Sequence, residues 1–98
     1  MTYYNEGTFA TKTPEDMGKL VEILNLEGLD PYGFDLDDAY ESDGQFCLEL
    51  NDCNGDIEHQ VDKIAEACQK KQLDVDFEIH YYGDAEGAYL FHNGVYEV

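Results

Sequence analysis

Apolar and polar residues follow two different periods along this chain, and the changes of period predict its elements. Residues 74–82 show the clearest two-residue period. Val75, Phe77, Ile79 and Tyr81 alternate with Asp74, Asp76, Glu78, His80 and Tyr82, the pattern of a half-buried strand. Residues 46–50 repeat it, with Phe46, Leu48 and Leu50 on one face and Cys47 and Glu49 on the other. Residues 3–10 have the Tyr, Thr and Phe content of a strand without clean alternation. Residues 88–91 and 95–98 predict two more strands joined at Asn93-Gly94, a type I′ hairpin signal.

Between these runs the period lengthens to that of a helix. Thr13-Pro14-Glu15-Asp16 is a helix start: Thr13 can cap, Pro14 suits the first turn, and two acids sit at the positive end of the dipole. Met17, Leu20, Val21 and Leu24 then recur at i, i+3, i+4 and i+7, predicting a helix over about 13–26 that stops at Gly28. Asn54-Gly55 ends the second strand, and Asp56 can cap a second helix over about 56–71. That helix carries Ile57, Val61, Ile64, Ala65 and Cys68 on one stripe and Lys70 and Lys71 at its C-terminal end. Residues 28–45 fit neither period. Pro31, Gly33 and Gly44 interrupt them, so a long irregular segment is expected, with Phe34, Leu36 and Tyr40 as the side chains to pin it. The order β-α-β-α-β-β-β predicts an α+β fold, a single domain over 1–98 with two helices on one face of a mostly antiparallel sheet. The other face is expected to be solvated and acidic.

Charge changes this ordinary picture. Between Lys19 and Lys63 there is no Lys or Arg, while thirteen Asp and Glu fall from Glu22 to Asp62. The whole chain has 23 acids, five lysines and no arginine, a formal net charge of -18. Self-repulsion at that level opposes compaction, and folding does not require it. Disordered acidic tails lack apolar residues, whereas this chain is 43% hydrophobic and 13% aromatic, enough for a core. A folded polyanion is best explained by a basic partner surface. Nucleic acid and anionic membrane would be repelled, and the basic footprint of nucleic-acid binding is missing. No window approaches the ~18 consecutive apolar residues of a membrane span. The first residues, Met1 to Glu6, have no basic n-region or apolar h-region, so no secretory signal is expected. Cys47, Cys53 and Cys68, odd in number and without CxxC spacing, predict reduced thiols and a cytoplasmic location.

Candidate chemistry is sparse. An EF-hand loop needs acidic or amide oxygens at set distances around a glycine. With Gly44 in that place the first and last ligands would be Ala39 and Leu50, and with Gly55 they would be Leu50 and Val61. Both registers fail. His59, His80 and His92 stand at no zinc-ligand spacing from a cysteine, and Cys68 falls on an apolar stripe. No P-loop, dinucleotide fingerprint or nucleophile elbow is present, and most acids lie in runs that read as solvated. No metal, no cofactor and no enzymatic activity are therefore expected.

Two acid sets are the candidate partner-binding residues: Asp35, Asp37, Asp38, Glu41 and Asp43 in the irregular segment, and Asp74, Asp76 and Glu78 with Tyr82 on the alternating strand. Same-face residues repeat every ~6.6 Å along a strand, on the scale of charges along a nucleic-acid backbone. The wet face of any half-buried strand carries acids, but such surfaces normally intersperse both signs, and this run has no lysine. Tyr81-Tyr82, Tyr89 and Tyr96 lie on adjacent predicted strands, so some must be exposed. Strand propensity accounts for them, yet aromatics among carboxylates also anchor arginine-rich surfaces.

In its size, its missing arginine and the acidic runs from Asp35 to Asp43 and from Asp74 to Glu78, the chain resembles the small acidic inhibitors carried by phages and mobile elements. These are the anti-CRISPR and anti-restriction proteins that imitate nucleic acid. They share no common fold, so no residue role carries over by position. The resemblance implies a stoichiometric, non-enzymatic blocker of a nuclease or DNA-recognition protein, acting in the host cytoplasm if phage-encoded. Two other functions stay open: an immunity-type or antitoxin-type protein that neutralises a basic toxin, and an acidic domain with no inhibitory role. The first two both use electrostatic complementarity for fast capture, and composition does not separate them.

Overall fold

The computed structural model describes residues 3–98, Asp52 through its backbone alone. Its elements are β1 (Tyr4–Thr11), α1 (Pro14–Glu27), a 3-10 turn (Leu36–Asp38), β2 (Tyr40–Ser42), β3 (Gln45–Asn54), α2 (Glu58–Lys71), β4 (Val75–Tyr82), β5 (Gly87–His92) and β6 (Val95–Glu97). All strand pairs are antiparallel in one six-stranded sheet ordered β2-β3-β1-β4-β5-β6. Both helices cover the same face, so the α+β expectation holds, with β4 central as its alternation required.

The helix ends form where local chemistry specifies them. The Thr13 hydroxyl accepts the Asp16 amide at 3.1 Å, Pro14 opens α1, and Gly28 closes it at φ 67, a left-handed angle that suits glycine. Asp56 accepts the Glu58 amide at 3.1 Å. At the other end of α2 Gln72 takes the left-handed cap at φ 53, and Lys70 and Lys71 occupy the last turn. Met17, Leu20, Val21 and Leu24 of α1 and Val61, Ile64, Ala65 and Cys68 of α2 are all buried.

Underneath the helices, strand register aligns Leu48, Phe9, Phe77, Phe91 and Tyr96 in one line across β3, β1, β4, β5 and β6. Phe77 is the hub, with ring centroids 5.4 Å from Phe9 and 5.3 Å from Phe91. Tyr96 extends the line to the edge, and its hydroxyl donates to Asp62 of α2 at 2.6 Å. The buried Asn5 amide donates to the carbonyls of Cys53 and Gly55 at 3.0 and 2.8 Å, fastening β1 to the end of β3.

The segment 28–45 differs from its irregular expectation. It contains the 3-10 turn and β2, which pairs with β3 through a two-residue turn at Asp43 and Gly44, φ 51 and 78. Both angles are positive, as a type I′ turn requires. The Asn25 side chain brackets Phe34, accepting its amide at 2.7 Å and donating to its carbonyl at 2.9 Å. Phe34 packs edge-on against Phe9. Leu36 and Tyr40 do not pin the segment to the core, since both are exposed.

Cys47, Cys53 and Cys68 are free and buried. No helix among the described residues is long and apolar enough to cross a membrane. Burial pushes the Cys68 thiol from 9.0 up to about 11. It also pushes the Tyr89 phenol from 10.0 up to about 12, with Asp56 and Glu58 adding to the shift. Such groups hold their protons in the folded chain at pH values where the unfolded chain has released them. Their stabilising contribution is complete below the unfolded values and is lost as the pH rises toward the folded ones. Urea midpoints should therefore hold steady to about pH 8.5 and fall steadily beyond about pH 9. Midpoints that stay level up to about pH 11 would contradict the burial of these groups.

Candidate functional site

The register that aligns the inner line also aligns one sequence neighbour of each of its members on the opposite face. Glu49, Glu78 and Glu97 follow Leu48, Phe77 and Tyr96, while Thr8 and Leu90 precede Phe9 and Phe91, and the five align in the same cross-strand order. The helix-free face thus carries a row with a carboxylate on every second strand, at Glu49, Glu78 and Glu97. At ~4.8 Å between strands, these are spaced about 9.6 Å apart. A neutral side chain, Thr8 or Leu90, separates each pair, so no two like charges sit directly opposite, where they would destabilise pairing. Along the strands the spacing is ~6.6 Å, with Asp76 below Glu78 and Glu6 above Thr8.

Two contacts hold Glu49 in place. Thr8 donates its hydroxyl to one carboxylate oxygen at 2.8 Å, and Tyr40 donates to the other. That bond raises the Tyr40 phenol from 10.0 to about 12. Two sequence-distant residues therefore orient a carboxylate that is itself exposed. Asp38 and Asp30 of the 28–45 segment border the same concavity as Glu49 and Asn51. A second concavity joins Glu49 and Asn51 to Glu6, Thr8, Glu78 and His80. A continuous acidic track thus leads from the segment to the sheet face.

The strand set predicted from sequence stays on one side of the sheet, but it is not a bare row. Asp74 precedes β4 and pairs with Lys12 at 3.5 Å, while its amide bonds to Asp16 at 3.4 Å. Asp76 meets His92 at 2.7 Å and Glu78 meets His80 at 3.3 Å. The run lacks lysine in its own sequence, yet each carboxylate has a basic neighbour: the fold brings Lys12 and His92, and His80 lies two residues along β4. Tyr82 is exposed on the same face, beside its register partner Tyr4.

The segment set is exposed and divided. Asp35 caps the 3-10 turn through the Asp37 amide at 3.0 Å, and Asp37 and Asp38 lie in that turn. Glu41 aligns with the inward Phe46, which places it on the helix side of the β2 edge, and Asp43 occupies the hairpin turn. Asp38 is the member that reaches the track.

Glu6, Glu49 and Glu97 were missed as site residues. Each is an outward position of its own strand, but membership in one row depends on pairing between strands. For Glu97 a signal existed, because the Asn93-Gly94 turn sets Leu90 opposite Glu97.

Four of the five lysines lie on the helices. Lys19 lies on α1, Lys63, Lys70 and Lys71 on α2, and Lys12 between β1 and α1. On the open face the basic side chains among the described residues are His80 and His92, with Lys12 at the margin through its pair with Asp74. Among the described residues no His, Cys, Asp and Glu converge as a metal site. No protein-family model, curated protein or solved structure matches the chain.

Proposed function

We propose that the protein is a non-enzymatic inhibitor that covers the nucleic-acid-binding surface of a basic protein, a nuclease or a nucleic-acid-recognition protein, in the cytoplasm. Its open sheet face offers carboxylates where that surface expects phosphates. The observation that carries this reading is the cross-strand row Glu49, Glu78 and Glu97, extended by Glu6 and Asp76, none of which has a lysine partner among the described residues. Spacings of ~6.6 Å along strands and about 9.6 Å across them fall within the range of B-DNA groove widths, roughly 6 to 12 Å. The placement of four of the five lysines on the helices supports the reading further, because solubility alone does not require one face to be poor in cations. Tyr4, Tyr40 and Tyr82 add ring faces on which guanidinium groups stack.

Capture of such a partner is driven by long-range attraction. Its association rate should fall about 10- to 1,000-fold as sodium chloride rises from about 20 to about 300 mM, because screening shortens the reach of the field. Stopped-flow mixing with the purified partner measures this. A rate independent of salt would reject the electrostatic reading in favour of an apolar interface.

A further inference from the structure

On the helix side of the sheet, where β4 ends and α2 begins, lies a cavity of about 150 Å³. It is separate from the carboxylate face, and its wall is aromatic. The Tyr81 ring stands 6.2 Å from Tyr3, edge-on at 71°, and 5.1 Å from Tyr89, tilted by 42°. Asp56 and Glu58, on the connection into α2, line the same space. The Asp56 carboxylate uses one oxygen to accept the Glu58 amide at 3.1 Å. The Glu58 carboxylate has no partner among the described residues. Gly87 makes the wall possible: a Cβ there would collide with the Tyr81 ring, whose Cζ would lie 2.6 Å away.

We propose that this cavity is a binding site for a guanidinium group, which stacks on the Tyr3–Tyr81–Tyr89 wall and donates hydrogen bonds to Asp56 and Glu58. The chemistry selects the ligand class. Ring faces attract cations and not anions, and two carboxylates repel an anion that the start of α2 would otherwise draw in. A quaternary ammonium would satisfy the rings but leave both carboxylates without donors, whereas the planar guanidinium fork serves rings and carboxylates together. Size agrees, since a cavity of roughly 150 Å³ admits a benzene molecule. The field of Asp56 and Glu58 also reaches the wall, adding to the rise of the Tyr89 phenol. The ligand is either a free guanidino compound or an arginine side chain of a polypeptide. The site does not depend on the function proposed for the sheet face.

Agmatine and N-acetyl-arginine amide, titrated separately into the full chain and followed by the ring signals of Tyr3, Tyr81 and Tyr89, test the site. Both should produce saturable shifts with millimolar affinity, and tetramethylammonium should bind more weakly. Tighter binding of agmatine would identify a small free ligand, and tighter binding of the blocked arginine a polypeptide source. Either order supports a guanidinium site. The double variant D56N/E58Q keeps an oxygen to cap α2 and should weaken both probes about tenfold or more. Tyr3→Leu should weaken them about two- to fivefold. The sheet-face variant E49K/E78K should bind both probes as the unaltered chain does. The proposal is overturned by shifts that never saturate, by equal shifts from sodium chloride at matched ionic strength, or by equal losses in the pocket and sheet-face variants.

Discussion

Replacing Gly7 with alanine is expected to destabilise the protein by about 3 kcal/mol or more, lowering Tm by roughly 12 °C or more. Gly7 lies in β1, between the two strands to which β1 is bonded, just past an irregularity in the β1–β3 register. A Cβ at this position would stand 2.7 Å from the Cα of Ile79 and closer still to the Glu78 carbonyl oxygen. Both obstacles are backbone atoms of β4, so no side-chain rotation relieves the clash. The requirement is one of space, and it falls on the pairing of the two central strands. Gly18 provides the contrast: it lies inside α1, and an added Cβ meets nothing within 4 Å. Gly18→Ala should therefore stabilise the chain by about 0.4–1 kcal/mol. Thermal melts of the two variants, one methyl group each, should move in opposite directions. A wild-type Tm for Gly7→Ala would contradict the close approach of β1 and β4.

The elements that were legible in sequence are those whose signals are local. Thr13, Pro14 and Gly28 bound α1 by their own hydrogen bonds and angles, and β4 announces itself by strict alternation. β2 was hidden because Tyr40, Glu41 and Ser42 are all exposed and show no inner face. Its remaining sign was Asp43-Gly44, which reads equally as a breaker. β3 runs past Leu50 to Asn54 because the register shift opposite β1 breaks the two-residue period there, and both Leu50 and Cys53 point inward. The site divides in the same way. Glu78 is visible from its own strand. Its alignment with Glu49 and Glu97, and the approach of Lys12 to Asp74, come from pairing across tens of residues, which no local pattern encodes.

Reversing Glu6, Glu49 and Glu78 to lysine is expected to weaken partner capture about 100-fold or more, since close interfacial charge pairs couple by roughly 1.5–7 kcal/mol. The matched control is reversal of Glu15, Glu22 and Glu66, exposed acids of the helix layer. It changes net charge by the same amount and leaves the open face intact. Asp16 is unsuitable for this purpose because its carboxylate accepts the Asp74 amide. The control triple is exposed, where substitutions usually shift stability by under ~0.5 kcal/mol each. The first triple also loses the Tyr4 contact to Glu6 and the Thr8 and Tyr40 contacts to Glu49, so its thermal melt is compared with the unaltered chain before binding is read. The control should lose only the few-fold in association rate that a lower net charge costs. Equal losses from the two triples would mean that total charge acts without regard to the row.

Mutual exclusion is the most direct measurement of the central claim. A partner captured on the immobilised protein at low salt, released at high salt and purified is offered a labelled nucleic acid that it binds, with the protein added as competitor. The account predicts that the protein displaces the nucleic acid stoichiometrically, that excess nucleic acid displaces the protein, and that the Glu6, Glu49 and Glu78 triple displaces almost nothing. A partner that holds protein and nucleic acid together, or that binds no nucleic acid at all, would contradict it.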